Sequence, residues 1–136
     1  MVNNYRAADI LHFKKYVFTD TGASAEHFAL ILLPSAIMGF EHNLLCSVIT
    51  SRAPRYLSNA WKLLRANYNC FSVDSYACLD RRDTNSVHDL SPKQQPVGKL
   101  IDYDIKKVFK ILKRILYGSG DTFYVAVIVR EWKKIK

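Results

Sequence analysis

A small barrel or sandwich, mainly β with helices packed outside it, is the fold class that this 136-residue sequence predicts. Three observations predict it. Most apolar runs are strand-length and end at turn residues. One of them, Leu44–Thr50, is nearly all apolar and finishes β-branched, as a strand buried on both faces does. Only two segments carry a helical stripe, a short one inside the chain and a long one near its end.

Residues Met1–Ala8 are polar and read as a fraying end. Ile10–Phe18 is rich in aromatic and apolar residues and reads as a strand. Thr19–Ser24 is a loop by composition. Phe28–Leu33 is a buried strand stopped by Pro34, and Ser35–Asn43 is a connector around Gly39. After the Leu44–Thr50 strand, Leu57, Trp61 and Leu64 fall at i, i+4 and i+7, which predicts a helix over Pro54–Ala66. Cys70–Val73 and Ser75–Leu79 read as strands, followed by the charged turn Asp80–Asp83. Thr84–Gln95, with Pro92, is a polar loop, and Pro96–Ile101 a short strand around Gly98.

Asp102–Tyr117 is a helix. Ile105, Val108, Phe109, Leu112, Ile115 and Leu116 make its apolar stripe, and Lys106, Lys107, Lys110, Lys113 and Arg114 its other side. Asp102 suits the N-cap and Gly118 the C-cap, with Gly118–Gly120 as a joint. The apolar, β-branched run Thr122–Val129 predicts a final strand, ending in a basic tail with Trp132. That tryptophan either stacks on a nucleic-acid base or packs on the core.

The totals narrow the function classes. The length suits one domain spanning residues 1–136, and 49% hydrophobic residues suits a packed globule. No apolar run approaches the ~18 residues that span a bilayer. Charges at Arg6, Asp9, Lys14 and Lys15 leave no signal-peptide core, so a soluble, cytoplasmic protein with no membrane contact is expected. Cys46, Cys70 and Cys78 form no CxxC, which supports neither a disulfide framework nor a zinc site. Cys46 and Cys78 sit in strand-like runs and read as inert thiols. A net charge of +8 suggests an acidic partner, nucleic acid being the commonest class, although a Lys-rich helix face is often only solvated.

The Leu44–Arg52 stretch carries the chemistry. Its apolar strand breaks into Thr50, Ser51 and Arg52. Two hydroxyls and a guanidinium at a strand end can seat a phosphate. The plainer alternative is a polar strand end entering a turn.

Four segments give a resemblance. Phe18-Thr19-Asp20, a Gly/Ser loop and Phe28–Leu32 look like a first hairpin. Leu45–Ser51 looks like a strand ending in a hydroxyl pair, and Ser75–Asp83 like a strand ending in an Asp-containing turn. Val97–Leu100 and the helix to Leu116 look like a closing strand and C-terminal helix. In this order the chain, over roughly Ile10–Tyr117, resembles the MazF/PemK-like toxins, metal-independent endoribonucleases of toxin–antitoxin pairs. The resemblance implies a small SH3-like barrel with the inserted helix and the amphipathic C-terminal helix, here with a final strand added. It also implies a homodimer, an RNA groove, an antitoxin partner, and no metal or cofactor. The RNA 2′-hydroxyl then attacks the adjacent phosphorus, assisted by a base, an acid and charge stabilisation.

The family's Arg-Pro at the start of its second strand is here His27-Phe28, and Cys78 stands where an Arg precedes the Asp turn. The resemblance therefore implies a rebuilt site. Glu26 or His27 is base or acid, Thr50 and Ser51 hold the phosphate, and Asp80 completes the catalytic set. Arg52, Arg55, Arg81 and Arg82 are the candidates for RNA contact, and Arg52, Arg81 or Arg82 replaces the lost cation. The alternative is a non-catalytic RNA- or protein-binding member of the same fold. In that reading His27 is an ordinary loop residue, and Arg81 and Arg82 pair with Asp80 and Asp83 as a solvated turn.

Overall fold

The structure, a computed structural model, describes residues 5–34, 43–55, 57–86, 89–90, 96–119 and 122–135. Most of the Ser35–Asn43 connector, Pro92 with much of its loop, and Gly120 lie outside these residues.

Seven strands form one antiparallel sheet: β1 (Asp9–Val17), β2 (Ser24–Leu33), β3 (Asn43–Thr50), β4 (Ala60–Leu63), β5 (Ser75–Cys78), β6 (Asp83–Ser86) and β7 (Gly98–Lys99). Their order is β4-β5-β3-β2-β1-β7, with β6 also on β3. β3 is shared along its length: its first half pairs with β6 and its last two residues with β5. Two helices follow, α1 (Asp102–Ser119) and α2 (Thr122–Lys133). Among the described residues no helix is long and apolar enough to cross a membrane.

The unbroken apolar runs of β2 and β3 follow from burial on both faces. Ile10, Leu30, Leu32 and Ile49 face α1 and α2, where Ile105, Val108, Leu112, Leu116, Ile128 and Trp132 pack on them. Leu11, Phe13, Tyr16, Ala29, Ile31, Cys46 and Val48 form a second core on the other face. Burial keeps the two strand thiols protonated: Cys46 is pushed far up and Cys78 to about 11. These are inert thiols, as the sequence predicts.

Side chains rather than a ladder draw β6 against β1. Asn85 accepts from Val17 N at 2.7 Å and donates to Val17 O at 3.3 Å. Asp83 accepts from the Tyr16 hydroxyl at 2.7 Å and from Thr19 N at 2.8 Å. This turns the sheet toward a small barrel, as expected, and makes a strand of part of the predicted loop Thr84–Gln95. Buried polar groups are tolerated there because they are hydrogen-bonded.

Several local expectations are corrected. The predicted helix Pro54–Ala66 is a short 3₁₀ turn, Leu57–Asn59, then strand β4 and a second turn, Arg65–Asn67. Leu57 and Leu64, two-thirds of the helical stripe, are 59% and 46% exposed, while Ala60 and Leu63 are buried. Pairing of β4 with β5 overrode the 3.6-residue spacing. Cys70–Val73 is not a strand. The predicted final strand is helix α2, because its apolar residues have α1 to pack against. Trp132 is 1% exposed, stacks on Phe109 at 6.3 Å and donates from Nε1 to Leu32 O at 3.1 Å. It therefore serves the core rather than a base. That carbonyl is free because the β2–β3 register slips between Ile31 and Leu33. α1 runs through Gly118 to Ser119, and Tyr5, Ala7 and Ala8 are buried instead of frayed.

Candidate functional site

The register of β2 on β3 decides how the site residues divide. Phe28 stands opposite Ile49, and Ala29 opposite Val48. Side chains alternate along a strand. His27 and Thr50, one step outward, therefore share the face of Ala29 and Val48. They are cross-strand neighbours, with Cβ atoms roughly 5 Å apart. Glu26 belongs to the opposite face, with Phe28 and Ile49.

On the first face, His27 is half-buried against aromatic rings. It meets Phe18 edge-on at 5.5 Å and Tyr16 at 6.2 Å. Burial lowers its imidazole below the ordinary pKa of 6.5, because the charged form loses hydration. The neutral ring therefore predominates near pH 7. Thr50 accepts from Arg52 N at 3.2 Å, a local turn that ends β3 and leaves Ser51 and Arg52 exposed.

Arg81 reaches the same region from the turn after β5. Its guanidinium lies 4.8 Å over the Phe18 ring, so Phe18 contacts both Arg81 and His27. Its Nη2 donates to Asp20 at 2.8 Å in a partly exposed ion pair. The turn is anchored from β3: the buried Ser47 hydroxyl donates to Arg81 O at 2.7 Å. Asp80 and Arg82 line an adjoining depression with Thr19, Asp20, Arg81 and Asp83. Arg82 Nη1 is buried there with no hydrogen-bond partner among the described residues. Arg55 is exposed on the segment leading to β4.

At the open ends of β2 and β3 a depression of ≈ 300 Å³ brings Glu26 together with His27, Thr50 and Ser51, and with His12, Phe28 and Phe71. Glu26 is 3.5 Å from His12 Nε2.

The structure thus gathers His27, Thr50 and Arg81 on one face, with Ser51 at the strand end between the two. Glu26 springs from the other face but lines one depression with His27, Thr50 and Ser51, while Asp80 and Arg82 line another with Arg81. Sequence reasoning missed Phe18 and His12. Both lie on β1 or just beyond it, and only the β1–β2 register reveals what they face. Among the described residues no three His, Cys, Asp or Glu side chains gather as metal ligands do.

No family model matches the sequence, and no curated protein matches it. Solved structures do. The chain is similar to the Mycobacterium tuberculosis toxin MazF-mt6 at 17% identity and a TM-score of 0.59, over 80% of this chain and 96% of that one. It is similar to a second Mtb toxin at 18% identity and a TM-score of 0.55, over 78% and 98%. An endoribonuclease from a mycobacterial species, solved in complex with its cognate antitoxin, matches at 14% identity and a TM-score of 0.59, over 83% and 95%. With its antiparallel sheet drawn toward a barrel and its helices on one face, the chain has the fold of the MazF-like toxins, at a low sequence identity that marks it as divergent.

Proposed function

We propose that this chain is an endoribonuclease toxin that cleaves single-stranded RNA through its 2′-hydroxyl, without a metal, and that an antitoxin neutralises it. The observation that carries the reading is the shared face of His27, Thr50 and Arg81 on this fold. His27, neutral through burial, takes the proton of the attacking 2′-hydroxyl. Thr50 and Ser51 donate hydrogen bonds to the non-bridging phosphate oxygens. Arg81 exchanges the exposed Asp20 for the phosphorane, whose charge it stabilises. It thereby replaces the arginine that His27 displaces from the family pattern. The 5′-oxygen leaves with a proton taken from solvent water and His27 returns its own to solvent, giving a 2′,3′-cyclic phosphate and a 5′-hydroxyl. Arg52, Arg55 and Arg82 contribute RNA-phosphate contacts, and the working unit is a cytoplasmic homodimer.

Incubating the purified protein with total RNA in EDTA tests this. Fragments ending in cyclic phosphate support the enzyme. Intact RNA after long incubation removes it and leaves the second reading, a non-catalytic RNA-binding member of the fold. That reading is favoured by one observation: Asp20 already occupies the Arg81 guanidinium.

A further inference from the structure

Two depressions share a wall of His12 and Phe28, and His27 borders the first of them. The first, of ≈ 300 Å³, has Glu26 at its mouth and Phe28 and Phe71 inside. The second, of ≈ 490 Å³, uses the same His12 and Phe28 and adds Asn69, Cys70 and Val97. Among the described residues no lysine or arginine lines either one. A phosphate therefore has no cation to meet there.

What the groove does present is the partly exposed rings of His12 and Phe28 with a polar rim, backed by the buried rings of Phe71 and Tyr68. His12 tilts on Phe28 at 5.1 Å, Phe71 meets Phe28 edge-on at 5.1 Å, and Tyr68 continues the row 5.6 Å from Phe71. The row is braced from α1, since Asp104 accepts from the Tyr68 hydroxyl and from Trp61 Nε1. Glu26, with 70% of its side chain exposed, stands over the mouth beside His12. Asn69 is exposed on the far rim and carries both donors and an acceptor. Unstacked RNA bases are held in this way, by an aromatic surface and polar groups along the ring edge.

We propose that this groove is a base subsite. It takes the base of a nucleotide flanking the cleaved phosphate, ring against His12 and Phe28 and a donor-bearing edge on Glu26. The link to cleavage rests on the function proposed above, because Thr50 and Ser51 border the same depression. The preference for a base rests on the groove alone. An ionised carboxylate only accepts hydrogen bonds, so the base that faces Glu26 must donate. Guanine presents two adjacent N–H donors, at N1 and N2, that match the two carboxylate oxygens. Uracil presents one N–H flanked by carbonyl oxygens that the carboxylate repels. The subsite selects guanine over uracil.

The test is NMR of the full chain with free guanosine and with free uridine. Neither ligand has a phosphate or a bond to cleave. Guanosine should shift His12, Phe28 and Asn69 resonances saturably and bind roughly tenfold more tightly than uridine, the discrimination of one bidentate pair. Glu26→Gln, an isosteric change at an exposed side chain, should erase the difference while leaving the spectrum folded. Equal affinities, shifts confined to other residues, no shift with either nucleoside, or a preference that survives in Glu26→Gln would each overturn the subsite. Because no cleavage is read, an inactive protein can pass this test and an active ribonuclease can fail it.

Discussion

His27 is held among Phe18, Tyr16 and the backbone of β2, and its depressed pKa ties stability to pH. The unfolded chain protonates at about 6.5, the folded one only at lower pH. Between the two values the unfolded state binds more protons, so stability rises with pH there. The His27 contribution is complete above the unfolded pKa and is lost as pH falls through the folded one. Thermal melts from pH 7.5 to 5 should show a smaller acid-side drop in His27→Gln than in the parent chain. An equal drop in both would assign the effect elsewhere. At the same scale, Asp83 satisfies two donors, one of them the buried Tyr16 hydroxyl. Asp83→Ala leaves that hydroxyl unpaired and should cost roughly 3 kcal/mol in chemical denaturation.

The elements show which signals in the sequence were sufficient. Leu44–Thr50 was legible because an apolar run that breaks into hydroxyls needs no partner to be understood. α1 was legible because its stripe repeats over 18 residues. Pro54–Ala66 was not, since three apolar residues fit a helix as well as a strand until β5 claims Ala60 and Leu63. Thr122–Val129 was not, because β-branched residues favour strands only weakly and α1 offered a packing face. Three stability measurements separate these assignments. Leu57→Ala should change stability by less than about 0.5 kcal/mol, as for any exposed site, whereas Leu63→Ala should cost about 2–5 kcal/mol. Trp132→Ala should cost about 3–5 kcal/mol, since it removes a buried ring and the donor that satisfies Leu32 O.

Across the whole molecule, register is what the sequence could not supply. His27 and Thr50 lie 23 positions apart and Arg81 a further 31 on; β2–β3 pairing brings the first two together, and Arg81 reaches His27 by way of Phe18. The same pairing starts Glu26 and His27 on opposite faces of β2, yet both line one depression at the strand end. The excess of 20 Lys and Arg over 12 Asp and Glu gives the net charge of +8 that suits a polyanion. It is not all free surface, for Arg114 donates to Ser58 O and Asn59, and Lys134 pairs with Glu131. RNA affinity should fall linearly with the logarithm of salt, and Arg81→Ala should reduce that slope by about 1 if Arg81 meets a phosphate. An unchanged slope would take Arg81 off the RNA path.

In the proposed reaction His27 is the base beside Thr50. Single-turnover cleavage of a single-stranded RNA in EDTA, comparing the parent chain with His27→Ala, tests this most directly. Loss of a positioned base predicts a rate lower by about 10²–10⁴, with RNA affinity retained. Equal cleavage rates in the two proteins would contradict it.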